Sequence, residues 1–411
     1  MRTPVQSGDN QDRTGVPDWG RAAPAVQDTE VGLNMNIAMV SDSYYPYISG
    51  VTRAVSTLKD ALVKMGHRVS IYCPAYPNAA PEEGVKRLPS LRSPTNAAYY
   101  VAVPPFFGLR RSLLRFRPDV IHIHSPFNLS RAGYSIGRRH GIPVVMTYHT
   151  MYNMYSHYVP VGGKRVSQAV ERMAFRVANA VDAVITPSRV LADYLREHGV
   201  TSPIFPIPNG IPVEEFQGGD PHYARERYGI PGGIPVIISC GRLGIEKNVE
   251  VLLKAFARLR AKKDAALLLV GDGPLRDELQ NLARSLGIAD RTFFAGSVPP
   301  EAMPHMYASA DLFMFASLTD TQGLVLVEAK AAGVPAVAVG ALGVKDMVLD
   351  GEDGYLCAND PDEIAERAAY LLGNPGVLSR MQENAKRNAM SFSKEAAASK
   401  ILSCYESVLR R

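Results

Sequence analysis

The sequence predicts an α/β protein of two doubly wound domains, each with a parallel sheet between two layers of helices. First, its 411 residues exceed the length at which a single hydrophobic core keeps growing, so two domains of roughly 150–200 residues are expected. Second, short apolar runs without alternation recur between amphipathic helical segments, as in sheets covered on both faces. Third, this series occurs twice, and the Pro- and Gly-rich stretch Pro203–Gly219 separates the two copies.

These observations divide the chain into four segments. Residues 1–33 are rich in Pro, Gly, Asp and Gln and lack the apolar centre of a secretory signal, so a disordered tail is expected. Residues 34–205 form the first predicted domain and residues 206–392 the second, with a hinge between them. Residues 393–411 have the apolar spacing of a packed helix, whose docking surface the sequence does not specify.

The elements of the first domain follow in order from its start. The predicted elements are the strand Ile37–Val40, a loop containing Gly50, the helix Val51–Met65, and the strands Arg68–Cys73, Val120–His124 and Pro143–Tyr148. This order of strands and helices is typical of a parallel sheet.

The second domain repeats the pattern. Its predicted strands are Val236–Cys240, Ala266–Val270, Thr292–Ala295, Leu312–Phe315 and Ala336–Val339, and its predicted helices are Val249–Ala261, Pro274–Leu286, Pro300–Ala308 and Gly323–Ala332. The two similar halves meet at the hinge predicted in Pro203–Gly219.

Composition and charge narrow the function classes. The four cysteines form neither a C-x-x-C pair nor a zinc-like cluster, which favours a reduced, cytoplasmic compartment. The apolar stretch Ala97–Leu109 is interrupted by prolines and is far shorter than the roughly 20 residues needed to cross a bilayer, so no membrane-spanning segment is expected. Residues 34–205 carry 20 Lys and Arg against 9 Asp and Glu, a net charge of +11, whereas residues 206–411 carry −4. The first domain is therefore expected to face an anionic partner: a membrane surface, a nucleic acid or a phosphorylated substrate.

The segment Ser239–Asn248 lies where a strand ends and a helix begins, the usual position for ligands in an open α/β sheet. Arg242 and Lys247 add positive charge beside free helix amides, which suits a diphosphate. Taken alone, they could also be two solvated basic residues. Gly273, in the turn after the next strand, permits close backbone approach to a ligand, although a plain turn is an equal alternative.

Two acids follow in the segment Ser317–Ala329. Asp320 is predicted to end a strand, Gly323 to allow close backbone approach, and Glu328 to lie one to two turns into the next helix. This spacing would let one acid meet a sugar while the other reaches a ribose diol. A surface Asp and a helix Glu are each common without such a role.

In the first domain, Gly50 lies in the loop between the first strand and helix, where backbone amides can face a phosphate. His124 follows the strand that contains His122. One of the two histidines is a candidate functional residue, and a structural role for each is the alternative. A zinc pair is disfavoured because no further ligand lies nearby in sequence.

Across residues 35–411 the chain resembles the retaining GT-B glycosyltransferases that share the E-x7-E signature. The matching segments are Met35–Ser43 with the Gly50 loop, Pro118–Pro126, Thr147–Thr150, Ile207–Ile211, Gly241–Asn248, Gly271–Pro274, Ser317–Ala329 and Asp350–Tyr355. The resemblance implies a GT-B fold, two Rossmann-like domains facing a central cleft, and transfer with retention from a nucleotide-sugar, with no cofactor and no metal.

The same resemblance implies roles for individual residues. Arg242 and Lys247 would neutralise the donor diphosphate, Glu328 would hold the ribose, and Gly50 would lie near the diphosphate. His124 and Asp320 would approach the donor sugar as catalytic residues; Asp320 stands where the family usually has the longer Glu. The donor cradle would be completed by Gly273 and by the backbone of Gln322, Gly323, Leu324 and Val325.

The acceptor is indicated by a closer resemblance. The Ser317–Gly323 form of the signature is most similar to bacterial diacylglycerol glucosyltransferases, which implies UDP-glucose as donor and a lipid acceptor. The segment Phe106–Arg117 combines aromatic and aliphatic residues with Arg110, Arg111, Arg115 and Arg117. It is predicted to rest on anionic lipid, which would place the protein on the inner face of the cell membrane.

Alternatives remain open at this point. The segment Phe106–Arg117 could be an ordinary amphipathic helix packed on its own sheet. Within glycosyltransferases, the acceptor could be soluble or a phosphoinositol lipid, with mannose from GDP-mannose or glucose transferred. A nucleic-acid-binding protein is the alternative outside enzymes, but no RNA- or DNA-binding motif accompanies the charge.

Overall fold

The computed structural model describes residues 34–94, 96, 98–152, 154 and 163–410. The tail predicted for residues 1–33 lies outside the described residues.

The first domain contains a seven-stranded parallel sheet with helices packed against it. Its elements in chain order are β1 (Asn36–Val40), α1 (Gly50–Lys64), β2 (Arg68–Pro74), β3 (Val85–Leu88), β4 (Ser90–Arg92), β5 (Tyr100–Ala102), α2 (Leu109–Phe116), β6 (Val120–Ile123), α3 (Asn128–His140), β7 (Val144–Thr147), α4 (Gly163–Ala178), β8 (Ala183–Thr186), α5 (Arg189–Glu197) and β9 (Ile204–Pro206). The strand order is β3-β2-β1-β6-β7-β8-β9, and β4 and β5 form a separate antiparallel pair.

The second domain contains a six-stranded parallel sheet. Its elements are α6 (Val213–Phe216), α7 (Tyr223–Tyr228), β10 (Val236–Cys240), α8 (Val249–Arg260), β11 (Ala266–Val270), α9 (Arg276–Ser285), β12 (Thr292–Gly296), α10 (Met303–Ala308), β13 (Leu312–Phe315), α11 (Leu324–Ala331), β14 (Ala336–Val339), α12 (Val344–Met347), β15 (Gly354–Cys357), α13 (Pro361–Gly373) and α14 (Pro375–Ala389). The strand order is β12-β11-β10-β13-β14-β15.

Both sheets reverse their strand order at one point, between β1 and β6 and between β10 and β13. The loops that leave neighbouring strands at such a reversal diverge to opposite faces, so a crevice opens at the carboxyl ends of the strands. The two doubly wound domains predicted from the sequence are therefore present, and their crevices define where a ligand can bind.

The last helix, α15 (Lys394–Leu409), returns to the first domain. Ala398, Ile401 and Tyr405 pack into the first-domain core with Val55 and Leu62 of α1. The Tyr405 hydroxyl also lies 2.7 Å from Nδ1 of His122. This docking surface is what the sequence left unspecified.

No helix of the described ranges combines the length and the apolarity that crossing a membrane requires.

Candidate active site

Three residues predicted to contact the donor lie at the reversal point of the second sheet. Arg242 and Lys247 follow β10, and Asp320 follows β13, which is hydrogen-bonded to β10. The prediction that Asp320 ends a strand is wrong: β13 ends at Phe315, and Asp320 lies in the loop that leads to α11. Because this loop is several residues long, the Asp320 carboxylate lies beyond the end of the sheet, beside the crevice.

Lys247 and Asp320 form an ion pair in this crevice. The Lys247 Nζ lies 2.7 Å from Asp320 Oδ2, and both side chains are about one-fifth exposed. The ammonium group also lies 5.8 Å from the centre of the Phe315 ring. The pair fixes the Lys247 charge at the mouth of the crevice and partly neutralises it, so Asp320 determines how much of that charge a diphosphate meets.

The two loops that carry this pair are joined by hydrogen bonds. Lys247 belongs to a short 3₁₀ turn, Ile245–Lys247. Ser317 Oγ and the Leu318 amide both donate to the carbonyl of Glu246. The basic turn and the acidic loop therefore form one rigid wall of the crevice.

Glu328 is the fifth residue of α11 and is 1 % exposed. The Tyr307 hydroxyl of α10 donates to Glu328 Oε2 at 2.8 Å. Burial raises the pKa of Tyr307 well above its usual value, so this hydroxyl stays protonated and remains a donor. The other oxygen, Oε1, accepts from Nη2 of Arg53, which lies on α1 of the first domain.

The backbone around Gln322 and Gly323 forms the start of α11. Gly323 is the N-cap residue and has φ +77°, a left-handed conformation that favours glycine. The next two amides, of Leu324 and Val325, occupy the first helical positions, where an amide has no acceptor within the helix. These positions are suited to a sugar or phosphate oxygen.

The Gln322 side chain has a different role. It is buried, its Oε1 accepts from the amide and the Nδ2 of Asn209, and its Nε2 donates to the Asn209 carbonyl. All three contacts join the acidic loop to the segment that links the two domains. Gln322 thus fixes the loop position through its side chain and leaves only its backbone to face a donor.

Three histidines lie at the carboxyl edge of the first sheet. Both ring nitrogens of His122 have hydrogen-bond partners, since they lie 2.7 Å from the hydroxyls of Tyr405 and Thr147. His124 Nδ1 lies 3.3 Å from His149 Nε2, whereas His124 Nε2 is buried without a hydrogen-bond partner among the described residues. The free nitrogen distinguishes His124 as the candidate for a donor contact and leaves His122 with the structural role.

Burial sets the charge state of these histidines. It lowers the pKa of His122 to about 3 and that of His149 to about 4. It also lowers the pKa of His124 well below its usual value, with smaller contributions from the other two rings. All three imidazoles are therefore neutral near pH 7, and His124 offers a neutral nitrogen to a sugar hydroxyl.

Gly50, Arg242 and Gly273 are further residues predicted to bind the donor. Gly50 is exposed and is the first residue of α1, after the N-cap Ser49. Arg242 is exposed in the turn after β10. Gly273 packs against the same turn, since a Cβ there would lie 2.4 Å from the Leu243 carbonyl oxygen. Because Gly273 has no side chain, the turn after β11 can pack closely against the turn after β10. Gly273 therefore supports the turn that carries Arg242.

The arginine-rich segment lies at a different place on the first domain. Arg110, Arg111, Arg115 and Arg117 are all exposed on and just after α2. Leu109 and Leu113 are buried in the core, so the apolar face of α2 packs on the sheet and is not available to lipid. Phe107, just before the helix, is 80 % exposed. This segment therefore presents arginines and one phenylalanine to solvent.

The basic surface is larger than the sequence predicted. Arg110 Nε lies 3.3 Å from His140 Nε2 at the end of α3. The last turn of α3 also carries Arg138 and Arg139, both exposed. We call the surface formed by Arg110, Arg111, Arg115, Arg117, Arg138 and Arg139 the basic patch.

Arg53, Tyr307 and His149 are site residues that sequence reasoning missed. His149 stood in a segment that matched the family, and its sequence neighbours gave no sign of a contact with His124. Arg53 follows the Gly50 loop by three residues, which could have marked it as facing the crevice. Tyr307 lies on an ordinary amphipathic helix, and nothing in its sequence context distinguishes it from a core residue.

Comparison with known proteins agrees with this geometry. Residues 223–388 match the family described as glycosyl transferases group 1, and residues 48–215 match glycosyltransferase family 4. The chain is 31 % identical over 351 residues to the alpha-monoglucosyldiacylglycerol synthase of Streptococcus pneumoniae, covering 84 % of this chain and 80 % of that protein. It is 29 % identical to the GDP-mannose-dependent alpha-mannosyltransferase of Corynebacterium glutamicum, covering 92 % of this chain and 91 % of that protein.

The fold is also found among solved structures. Anabaena HepE in complex with UDP-glucose superimposes with a TM-score of 0.70 at 19 % identity, covering 91 % of this chain and all of that one. Two facing doubly wound domains, the acids at the reversal point of the second sheet and the matches along both halves lead to one conclusion. The chain belongs to the GT-B glycosyltransferases of the family 4 and group 1 type.

Proposed function

We propose that this glycosyltransferase moves glucose from UDP-glucose to a lipid acceptor such as diacylglycerol, with retention of configuration and without a metal ion or other cofactor. It would work as a peripheral protein on the inner face of the cell membrane. The donor diphosphate would be bound in the second-domain crevice and the acceptor would approach from the first domain.

The donor half of the proposal rests on charge at the crevice. As the bond between the sugar and the diphosphate breaks, negative charge develops on the diphosphate. Cations and hydrogen-bond donors held in place beside that charge stabilise the transition state. Arg242, Lys247 and the amides of Leu324 and Val325 would supply them. Glu328, with its buried carboxylate, would accept from the ribose hydroxyls, and Asp320 and His124 would contact the sugar.

One observation carries the lipid acceptor: Phe107, which is 80 % exposed, lies just before α2 and the exposed arginines of the basic patch on that helix. An aromatic side chain flanked by arginines suits the boundary between lipid headgroups and acyl chains. The similarity to the Streptococcus pneumoniae synthase favours the same class of acceptor.

An open groove on the first domain supports this acceptor class. It has a volume of about 610 Å³, and its lining includes Phe106 and Asn128, the first residue of α3. Met173 and Val177 contribute apolar walls, and Arg131 and Arg176 lie at its edge. The groove would therefore receive an apolar part of the lipid acceptor.

A second candidate is mannosyl transfer from GDP-mannose to a soluble or phosphoinositol acceptor. The similarity to the Corynebacterium mannosyltransferase favours it, because the coverage of both chains is higher there than for the synthase. The exposed side chain of Phe107 favours a lipid over a wholly soluble acceptor.

A donor and acceptor panel separates the two candidates. The protein would be incubated with UDP-glucose or GDP-mannose and with diacylglycerol, phosphatidylinositol or a soluble glucoside, and products would be identified by mass spectrometry. Glucosyl-diacylglycerol from UDP-glucose alone supports the proposal. Transfer only from GDP-mannose, or only to the soluble acceptor, would overturn it. Lys247→Ala should lower turnover by orders of magnitude in every active combination.

A further inference from the structure

The carboxylate of Glu328 is held from both sides of the cleft. Tyr307, from the same domain, donates to Oε2, and Arg53, from the opposite domain, donates to Oε1. Arg53 lies on the first turn of α1, and its side chain is 37 % exposed, whereas that of Glu328 is 1 % exposed. The guanidinium group therefore reaches from the mouth of the cleft to a buried acid.

Counting acceptor sites shows what remains for a ligand. An ionised carboxylate has about four lone-pair sites, two on each oxygen. Tyr307 and Arg53 take one on each oxygen, which leaves one free site on each. A vicinal diol presents two adjacent hydroxyl donors, so the two remaining sites match a ribose.

We propose that Arg53 is a positioning residue that orients the Glu328 carboxylate for the donor ribose and makes the ribose site complete only when the two domains meet. This inference rests on the ribose role proposed for Glu328. It adds that nucleotide binding and domain closure are coupled through one side chain of the first domain.

The arrangement also has a charge argument. A buried carboxylate that loses its only cation is strongly disfavoured, because the desolvation cost is no longer offset. Opening the cleft removes Arg53 from Glu328, and among the described residues Tyr307 alone would remain hydrogen-bonded to this carboxylate. A bound ribose also supplies hydrogen-bond donors to the Glu328 carboxylate. In the closed form, Arg53 in addition holds this carboxylate in a single orientation.

The test measures ribose discrimination, which needs neither acceptor nor turnover. UDP and 2′-deoxy-UDP would be titrated by calorimetry into wild type, Arg53→Gln and Arg53→Lys, with GDP and 2′-deoxy-GDP used if the guanine nucleotide binds better. Arg53→Gln should weaken UDP binding about tenfold, the size expected when one charge-assisted hydrogen bond is lost. It should also lower the ratio of UDP to 2′-deoxy-UDP affinity, with Arg53→Lys intermediate.

Two further variants make the result specific. Tyr307→Phe should lower the same ratio while leaving nucleotide-induced compaction in small-angle scattering intact, and Arg53→Gln should reduce both. Lys64→Gln is the matched control, since Lys64 lies on the same helix as Arg53. Its ammonium group is 3.1 Å from the carboxylate of Glu395, and this pair is not part of the cleft. Lys64→Gln should change neither quantity.

Other outcomes overturn the inference. An unchanged ratio in Arg53→Gln would show that Arg53 does not orient the carboxylate. Tighter UDP binding in that variant would show instead that Arg53 competes with ribose for Glu328. If Glu328→Gln itself keeps the full ratio, the ribose role in the proposed function fails; if only Arg53→Gln keeps it, that role stands and the inference alone fails.

Discussion

The two acids of the signature are distinguished by the cations that hold them. Asp320 is partly exposed and pairs within its own domain with Lys247. Glu328 is buried and pairs across the cleft with Arg53. A partly exposed pair can exchange partners easily when an anion arrives, whereas a buried carboxylate keeps its geometry. This contrast favours the sugar for Asp320 and the ribose for Glu328.

The buried histidines predict an acid-sensitive fold. Their pKa values are lowered in the folded protein, so below about pH 6.5 the unfolded chain takes up protons that the folded chain does not. Stability should therefore be full above pH 6.5 and fall as pH drops towards 4, by roughly 1 kcal/mol per pH unit for each histidine. Urea midpoints measured at pH 7.5, 6.5 and 5.5 would follow this slope.

Substitutions separate the histidines from other acid effects. His149→Gln should reduce the number of protons taken up on unfolding by about one. The free energy of unfolding should then depend less steeply on pH. His222→Gln, at an exposed position, should leave the slope unchanged. Equal slopes for wild type and His149→Gln would contradict the assignment of the acid sensitivity to this cluster.

At the scale of elements, α11 depends on how it begins. Gly323 is left-handed at φ +77°, and a Cβ there would also lie 3.1 Å from Leu326 Cδ1. Gly323→Ala should therefore destabilise the protein by about 1–2 kcal/mol and weaken nucleotide binding, because the amides of Leu324 and Val325 would be displaced. The denaturation midpoint and calorimetric UDP affinity would be measured together.

A helical glycine provides the control for this substitution. Gly373 ends α13 without a positive φ, and a Cβ there would meet no atom within 4 Å. Gly373→Ala should leave UDP affinity unchanged and stability equal or higher by up to about 1 kcal/mol. If both variants behave alike, the left-handed start of α11 has no part in binding.

The strands of the second sheet were largely predictable from the sequence. The bounds of β10, β11, β13 and β14 match the predicted ones, because each is a buried apolar run between turn residues. The β4 and β5 pair was not predicted, since three-residue strands leave too short a pattern. The helix α2 was considered only as an alternative for the segment Phe106–Arg117, and which of its apolar residues face the core depended on packing.

The candidate site was predictable only in part, for a reason of sequence distance. Arg242, Lys247 and Asp320 lie in the loops that follow two neighbouring strands, so a local pattern combined with a topology rule brings them together. Arg53 meets Glu328 from 275 residues away, and Tyr307 meets it from 21. Such pairings depend on how two domains and two helices are placed, which no local pattern contains.

At the scale of the whole molecule, several contacts join the domains beside the cleft. Thr321 Oγ1 donates to the His149 carbonyl at 2.7 Å, and the Arg189 amide donates to Asp346 Oδ2 at 2.6 Å. The first of these links the acidic loop directly to the histidine cluster. In this arrangement the contacts fix the candidate catalytic groups of the two domains relative to each other.

The division of charge predicts how the whole molecule meets a membrane. The first domain, residues 34–205, carries +11 and contains the basic patch, whereas residues 206–411 carry −4, so an anionic surface should orient the protein with its first domain inward. Binding to vesicles should rise with the fraction of anionic lipid. It should fall with salt, since the Debye length shortens from about 10 Å at 0.1 M to about 3 Å at 1 M.

Co-sedimentation of two charge-matched variants with anionic vesicles tests this orientation. Changing Arg110, Arg111, Arg115 and Arg117 together to Gln should remove on the order of 4 kcal/mol of attraction at most, while activity on detergent-dispersed acceptor persists because these residues lie outside the crevice. The control changes four exposed bases of the second domain to Gln: Arg227, Lys262, Arg284 and Arg380. Both variants lose four charges, so a general charge effect would weaken them equally. Loss of binding in the first alone places the membrane contact on the basic patch; equal loss, or no binding by wild type at low salt, would refute it.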